Sequence, residues 1–268
     1  MLFAIPFPVM DPVLVELGPL TIRWYALAYV VGLILGWRYM LHLARSIPGV
    51  MSGKDVDDFL FWATLGVIFG GRIGYVLFYL PGGLDNSLLD LVAVWKGGMS
   101  FHGGATGVIL ALICFCMARK LSIKRVGDLL CCAVPIGLLL GRIANFINGE
   151  LFGRPTDVPW AMVFPHGGPF PRHPSQLYEA FFEGLLLFAV LAWLVHRTRA
   201  VERPGLLAGL FLAGYGLARF GVEFVRQPDE QLGFLYAGAT MGQLLSLPLI
   251  AAGLWLIFTA KPLAASPK

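Results

Sequence analysis

Charged residues are scarce in this chain of 268 residues: they make up 13% of it, against about 25% in soluble domains. Cysteine is also rare, and the four thiols lie in apolar runs without the spacing of a zinc, disulfide or redox motif: Cys114, Cys116, Cys131 and Cys132. The nucleotide-binding pattern G-x-x-x-x-G-K-[ST] is absent, and no carboxylates and histidines have metal-ligand spacing. These deficits exclude a disordered chain, a disulfide scaffold and a nucleic-acid module, and we expect no metal and no cofactor.

Apolar residues are abundant instead, at 57% of the chain, which is more than a soluble fold of this size buries. A bilayer core of about 30 Å needs roughly 20 apolar residues per helix. Seven stretches qualify: 20–43, 58–80, 99–118, 127–147, 178–196, 205–225 and 236–260. The opening MLFAIPFPVMDP lacks a basic region, so we expect no cleaved signal peptide. The sequence therefore predicts an all-α polytopic membrane protein, a single transmembrane domain over 1–268 with an extracytoplasmic loop at 148–177.

Basic residues that flank the spans are distributed unevenly. Twelve lie on the side of the loops that follow spans one, three and five, and five lie on the opposite side. Because Lys and Arg collect on the cytoplasmic side of a membrane, this asymmetry predicts an N-terminus outside and a C-terminus in the cytoplasm.

Three arginines interrupt apolar runs: Arg72, Arg142 and Arg219. Each costs about 2.5–3.5 kcal/mol at mid-membrane without a partner, so such residues normally face a bundle interior, a cavity or an anion. In the predicted topology they gather with His102 in the outer half of the membrane. A transporter would be expected to place such groups near the midplane.

Polar residues cluster around two of these arginines. Tyr215, Arg219, Glu223 and Arg226 share one helical face through i, i+4, i+8 and i+11 spacing, although Glu223 and Arg226 alone are also consistent with simple neutralisation at a helix end. Span four ends in GRIANFINGELFGRP, which places Asn145, Glu150 and Gly153 after Arg142. That is more polarity than a helix cap requires, so we interpret this exit as a binding site.

His102 opens span three within SFHGG, directly before two glycines that allow another backbone or a ligand to approach closely. A lone interfacial histidine is more often a structural hydrogen-bonding group than a catalyst. Next to arginine-bearing spans at the same depth, a role as proton acceptor becomes the better interpretation. The loop at 148–177 is rich in Pro, Gly and aromatic residues, which favours an interfacial lid over a linker.

Several blocks together resemble one family, the bacterial prolipoprotein diacylglyceryl transferases. They are SFHGG, GRIANFINGELFGRPTDVPWAMVFP, RHPSQLYEA and the sixth-span series from Tyr215 to Arg226, and the similarity runs in order over nearly the whole chain. Ala144 stands where many members have glycine, a small change that is not expected to disturb the site.

The resemblance implies an inner-membrane enzyme of seven spans with its active site on the extracytoplasmic side. The implied reaction moves the diacylglyceryl group of phosphatidylglycerol to the lipobox cysteine thiol of a preprolipoprotein, forms a thioether and releases glycerol phosphate. No nucleic acid is implied as a partner. We expect His102, Arg142 and Arg219 to be catalytic, with the two arginines on the phosphate. The expected substrate-binding residues are Tyr25, Arg72, Asn145, Glu150, Gly153, Tyr215, Glu223 and Arg226.

Within that set, Tyr25 and Asn145 are expected to position substrate by hydrogen bonds, and Glu223 to orient Arg219 or Arg226. Whether His102 or a water-mediated carboxylate removes the thiol proton stays open. A lipid flippase that uses the same arginines to pass an anion is the main alternative function, and a purely structural membrane scaffold is a weaker one.

Overall fold

The computed structural model describes residues 5–8, 10–18, 20–80, 87–228, 233–235 and 238–263. These residues are mainly helical. The helices are α1 (Trp24–Ser46), α2 (Gly53–Phe78), α3 (Leu88–Val92), α4 (Phe101–Arg119), α5 (Ile123–Ile147), α6 (Ser175–Glu179), α7 (Leu187–Arg197), α8 (Leu206–Val222) and α9 (Met241–Thr259). The strands are β1 (Ile5–Pro6), β2 (Val13–Leu17), β3 (Leu20–Arg23) and β4 (Met162–Val163).

Within the described ranges, six helices are long and apolar enough to cross a membrane, which confirms a polytopic membrane protein. One of them, Ser175–Arg197, joins α6 and α7 through the π-helical stretch Ala180–Leu186, and we call it the fifth long helix. The predicted spans agree with the helices to within a few residues, except that 236 and 237 of the last span lie outside the described residues. Helix α8 has 17 residues, which corresponds to about 26 Å and is shorter than a full bilayer core. A count of seven spans therefore remains a prediction.

The contacts of the chain divide it into two compact units, Met40–Gly127 and the remainder, formed by Met1–Tyr39 with Asp128–Lys268. In Met40–Gly127, α2 and α4 pack backbone to backbone through glycines. A Cβ on Gly107 would lie 1.9 Å from the Gly66 carbonyl oxygen, and one on Gly103 would lie 2.3 Å from that of Gly70. The predicted close approach of another backbone at SFHGG is therefore found at Gly103, whose partner is α2. Such small-residue seams are typical of membrane helices.

The other unit contains most of α1 and of α5, the fifth long helix, α8 and α9. Glycines again allow close packing here: a Cβ on Gly253 of α9 would lie 2.7 Å from the Gly209 carbonyl oxygen of α8. The start of α8 is held by a side chain of α5, because the Asp128 carboxylate accepts hydrogen bonds from the backbone N–H groups of Gly205 and Ala208, both at 2.7 Å. A carboxylate there also complements the positive end of the helix dipole.

The long loop between α5 and α6 is ordered by backbone pairing in this same unit. Its strand β4 pairs in parallel with β1, and isolated bridges join Pro155 and Met162 to Arg172. Phe7 packs on Phe164 with ring centroids 5.2 Å apart. The loop that follows α5 is thus folded rather than extended, through contacts with β1, Phe7 and its own residues.

Candidate functional site

Three arginines form ion pairs with three glutamates in the unit formed by Met1–Tyr39 and Asp128–Lys268. Arg142 lies near the end of α5, Arg219 lies near the end of α8, and Arg226 follows α8 by four residues. The carboxylates are Glu179 and Glu183 of the fifth long helix and Glu223 at the end of α8. We call these six residues the arginine–glutamate cluster. The structure therefore brings together four predicted site residues, Arg142, Arg219, Glu223 and Arg226.

Glu179 is the shared partner of all three guanidinium groups. Its Oε2 lies 3.1 Å from Arg142 Nη1, while its Oε1 accepts hydrogen bonds from Arg219 Nη1 and, at 2.9 Å, from Arg226 Nη1. Its side chain is completely buried. One carboxylate therefore links three arginines that are up to 84 residues apart in the sequence.

Glu183 and Glu223 complete the charge balance. Arg142 donates to Glu183 Oε2 from Nε at 3.3 Å and from Nη2 at 3.1 Å. Glu223 Oε1 pairs with Arg219 Nη2 and lies 3.7 Å from Arg226 Nε. Glu223 thus contacts both arginines that it was predicted to orient. Three positive and three negative groups offset one another, which removes most of the cost of burying each arginine alone.

The cluster is not uniformly buried. The side chains of Arg142 and Arg219 are both 17% exposed, whereas that of Arg226 is 8% exposed and the carboxylates are at most 3% exposed. Arg142 and Arg219 are therefore the most exposed members of the cluster. A small cavity at the Arg219 side is lined by both Arg219 and Arg226.

Glu179 lies at a change of helical geometry, directly before the π-helical stretch Ala180–Leu186 that contains Glu183. π-Helical turns are rare and occur frequently at functional sites. A π turn changes the angular spacing of side chains, so ordinary helical periodicity does not predict which face these carboxylates occupy.

The end of α5 carries a second polar group. Asn145 Nδ2 donates to Glu150 Oε1 at 2.8 Å, and Asn148 Nδ2 donates to the same oxygen at 3.2 Å. Asn145 is buried, whereas Glu150 is exposed. The structure therefore joins two more predicted site residues, Asn145 and Glu150, in one hydrogen-bonded group three residues after Arg142.

Gly153 connects the loop to the segment that carries Arg226. The two residues form a β-bridge, and the Gly153 N–H donates to the His173 carbonyl at 2.8 Å. A Cβ at Gly153 would lie 2.6 Å from both the His173 Cβ and the Val225 carbonyl oxygen, so only glycine fits. Arg154 reinforces the junction by donating to the carbonyls of Arg226 at 2.9 Å and Glu223 at 3.0 Å.

Two tyrosines that were predicted to bind substrate lie in the same unit as the arginine–glutamate cluster. The Tyr25 hydroxyl, at the start of α1, is 3.2 Å from that of Tyr29 and within electrostatic range of Glu150 and Arg142. Tyr215 lies one helical turn before Arg219, within electrostatic range of Arg142, Glu179 and Glu183.

The remaining predicted residues, His102 and Arg72, belong to the unit Met40–Gly127. His102 is exposed in the first turn of α4, directly after Phe101. The two rings are arranged edge to face, with their centroids 5.5 Å apart. Arg72 is 2% exposed and donates to two backbone carbonyls, that of Asp90 from Nε at 2.9 Å and that of Gly97 from Nη1. Its hydrogen-bond acceptors therefore belong to the segment between α2 and α4, while its guanidinium also lies over the Tyr75 ring of α2.

Sequence reasoning missed Glu179 and Glu183, the carboxylates that neutralise the arginines. Both fall inside the predicted span 178–196, so counting acidic as well as basic residues within the spans would have found them. Among the described residues, no group of three or more His, Cys, Asp or Glu residues is arranged to hold a metal ion.

Residues 12–259 of the chain match the family described as prolipoprotein diacylglyceryl transferase. A protein of Rhodospirillum rubrum named phosphatidylglycerol–prolipoprotein diacylglyceryl transferase is 61% identical over 269 residues, covering 98% of each chain. A protein of the same name from Azospirillum brasilense is 61% identical over 263 residues, covering 97% of this chain and 98% of the relative. Another, from Paramagnetospirillum magneticum, is 59% identical over 258 residues and covers 96% of each.

Proposed function

Because the chain belongs to the prolipoprotein diacylglyceryl transferase family, we propose that its arginine–glutamate cluster binds the phosphate of the lipid substrate. The activity is that of a transferase that moves a diacylglyceryl group from phosphatidylglycerol to a prolipoprotein, the first step of lipoprotein maturation. The proposal concerns the residues that perform this reaction and the membrane face on which they act.

The partial exposure of two cluster arginines carries the proposal. Arg142 and Arg219 each have 17% of the side chain accessible, and both are held in place by buried carboxylates. A guanidinium binds phosphate through short, charge-assisted and often bidentate hydrogen bonds. Arg142 and Arg219 bind the lipid phosphate directly, and the more buried Arg226 supports them through Glu179 and Glu223.

The chemistry requires stabilisation of a leaving phosphate. The thiol of the lipobox cysteine attacks the glyceryl carbon that bears the phosphate ester, so a C–S bond forms as the C–O bond breaks. The thiol proton passes to a base, and glycerol phosphate leaves with the bonding electron pair. Preorganised donors at the departing oxygen lower this barrier, and Arg142 and Arg219 supply such donors.

His102 acts as the base in this proposal. Its imidazole is exposed in the first turn of α4, where a thiol can reach it. A base is useful because a free thiol, with a pKa of about 8.5, is mostly protonated at neutral pH. A carboxylate acting through water is the competing assignment.

The other predicted residues position the substrates. Tyr25 and the Asn145–Glu150 pair offer hydrogen-bonding groups beside Arg142, and Tyr215 lies one turn from Arg219. Gly153 joins the loop to the segment that carries Arg226. Arg72 contributes by holding the segment between α2 and α4, through the carbonyls of Asp90 and Gly97.

The enzyme crosses the inner membrane seven times, with the N-terminus outside, the C-terminus in the cytoplasm and the site toward the extracytoplasmic side. The unequal distribution of Lys and Arg supports this orientation. The crossing that the six long helices leave out is the sixth along the chain, the 17-residue α8, whose outer end carries Arg219. The chain is one functional transmembrane domain that takes its prolipoprotein substrate from the bilayer.

The decisive experiment measures transfer of a labelled diacylglyceryl group from phosphatidylglycerol to a lipobox peptide by the purified protein. A peptide with Cys→Ser is the control, and label on the cysteine peptide alone is expected. Arg142→Ala is expected to lower the rate by about a hundredfold or more. Arg142→Lys retains the charge but not the bidentate geometry, so partial activity is expected.

His102→Gln tests the base separately, and full activity in that variant would refute the assignment. If neither peptide is labelled by a folded, lipid-bound protein, movement of labelled phosphatidylglycerol between leaflets of a vesicle would be measured next. Such movement without any peptide would favour the flippase.

A further inference from the structure

We propose that Thr240 and Gly242, at the start of α9, are positioning residues that hold Glu223 against Arg219 and Arg226 during transfer. This inference rests on the proposed function of Arg219 as a phosphate ligand. It concerns residues that do not touch the reacting atoms and that no sequence pattern singled out.

Thr240 fixes one oxygen of Glu223. Its hydroxyl donates to Glu223 Oε2 at 2.5 Å, and both residues are 3% exposed. The same hydroxyl oxygen is the N-cap of α9 and accepts from the Gln243 N–H at 3.2 Å. The hydroxyl oxygen accepts a hydrogen bond at the cap, so its single proton is available for donation to the Glu223 carboxylate.

Gly242 provides the space for the same carboxylate. A Cβ on Gly242 would lie 2.5 Å from Glu223 Oε1 and 2.6 Å from its Cδ, well inside van der Waals contact. The carboxylate therefore packs against the first turn of α9, where it also complements the positive end of the helix dipole. Alanine at this position would displace Glu223 from its buried site.

The two oxygens of the Glu223 carboxylate have different partners. Thr240 holds Oε2, which leaves Oε1 to pair with Arg219 Nη2 and to lie 3.7 Å from Arg226 Nε. The start of α9 thereby sets the orientation of the carboxylate on which the exposed phosphate ligand Arg219 depends. Movement of Glu223 by about 1 Å would misplace Arg219, and misplacement of that size costs as much as a hundredfold in rate.

Three variants of Thr240 separate this role from helix capping. Thr240→Ser retains both contacts and should keep near-wild-type turnover. Thr240→Val removes both contacts. Thr240→Asp keeps a good N-cap acceptor but replaces the donor to Glu223 with a second negative charge. If Thr240 were only a cap, Asp would rescue activity, whereas the positioning role requires that both Val and Asp lower kcat about tenfold to a hundredfold.

Gly242→Ala is compared with Gly221→Ala, a matched glycine near the end of α8 whose added Cβ would meet no atom within 4 Å. We expect a loss of kcat with Gly242→Ala alone. The readouts are kcat and KM for phosphatidylglycerol, with thermal unfolding in the same detergent as a measure of folding. The effect should fall mainly on kcat, because Arg219 acts on the charge that develops on the leaving phosphate.

Arg219→Ala distinguishes the possible failures. If Arg219→Ala abolishes transfer while a folded Thr240→Val or Gly242→Ala turns over normally, this inference is wrong and the proposed function stands. If Arg219→Ala itself remains active, the proposed function of the cluster is wrong. Rescue of kcat by Thr240→Asp would also overturn the inference, since capping alone would then explain the residue.

Discussion

Arg142 of α5 and Glu179 of the fifth long helix form a buried ion pair, with Nη1 3.1 Å from Oε2. The same carboxylate also binds Arg219 and Arg226, so it is the one acidic group common to all three arginines of the cluster. Charges placed this way are already paired before any substrate arrives. In the proposed function, an anionic lipid headgroup therefore competes with these carboxylates for the two arginines that are partly exposed.

Glu179→Gln is expected to destabilise the protein and to reduce transfer strongly. The amide cannot neutralise three guanidinium groups, and breaking a buried ion pair by changing one partner costs about 3–5 kcal/mol. Thermal unfolding in detergent measures the first effect and the labelled transfer assay the second. Glu202→Gln, an exposed glutamate in the loop before α8, is the control and should change neither. Equal stability of Glu179→Gln and wild type would contradict the charge-balancing role.

Gly107→Ala is expected to disrupt the packing of α2 and α4. Its Cβ would lie 1.9 Å from the Gly66 carbonyl oxygen, so the helices must separate, and overpacking of this kind costs about 1–3 kcal/mol or more. Gly104→Ala is the matched control on the same helix, because its Cβ would make an ordinary contact of 3.7 Å with the Val67 carbonyl oxygen. The midpoint of thermal unfolding should fall for Gly107→Ala only.

Arg72→Lys is expected to loosen the segment between α2 and α4. Lysine cannot reproduce the two donations to the carbonyls of Asp90 and Gly97 with the rigid geometry of a guanidinium. Lys96 lies in this segment with 57% of its side chain exposed, so a lysine-specific protease reports on its order. Faster cleavage after Lys96 is expected. Unchanged cleavage together with a raised KM for phosphatidylglycerol would instead indicate that Arg72 contacts the lipid.

Stability should decrease at acidic pH partly because of His173. Burial lowers the pKa of this loop imidazole below its ordinary value of about 6.5. The hydrogen bonds agree: the Trp160 indole N–H can only donate to the Tyr178 oxygen, at 2.6 Å, which leaves the tyrosine proton for His173 Nδ1 at 3.2 Å. The folded state therefore prefers a neutral His173.

The unfolded state binds the proton more readily, so the stabilisation is complete above the unfolded pKa and is lost as pH falls through the folded pKa. Thermal unfolding measured from pH 8 to pH 5 should show this decline, and His173→Gln should reduce its slope. His166→Gln, in the same loop, is the control. A slope that is identical in wild type and His173→Gln would refute the assignment.

Much of this protein follows from the sequence alone. The apolar helices, the long loop rich in Pro and Gly after α5 and the arginines within apolar runs were all predicted, because hydropathy is a local property that scales with helix length. The family followed from SFHGG, the GRIANFING block and RHPSQLYEA, since each places chemically specific residues in a fixed order. The roles of the individual site residues stay predictions.

Only the tertiary structure decided which groups neutralise the arginines. Glu179 pairs with residues 37 positions before it and 40 and 47 positions after it. Such pairing depends on the rotation and depth of each helix, which a π-helical stretch alters locally. The fit of Gly242 to Glu223 and the carbonyl partners of Arg72 likewise depend on interatomic distances that must hold to within a few tenths of an ångström. Those distances arise when whole helices pack, and no single segment of the sequence contains them.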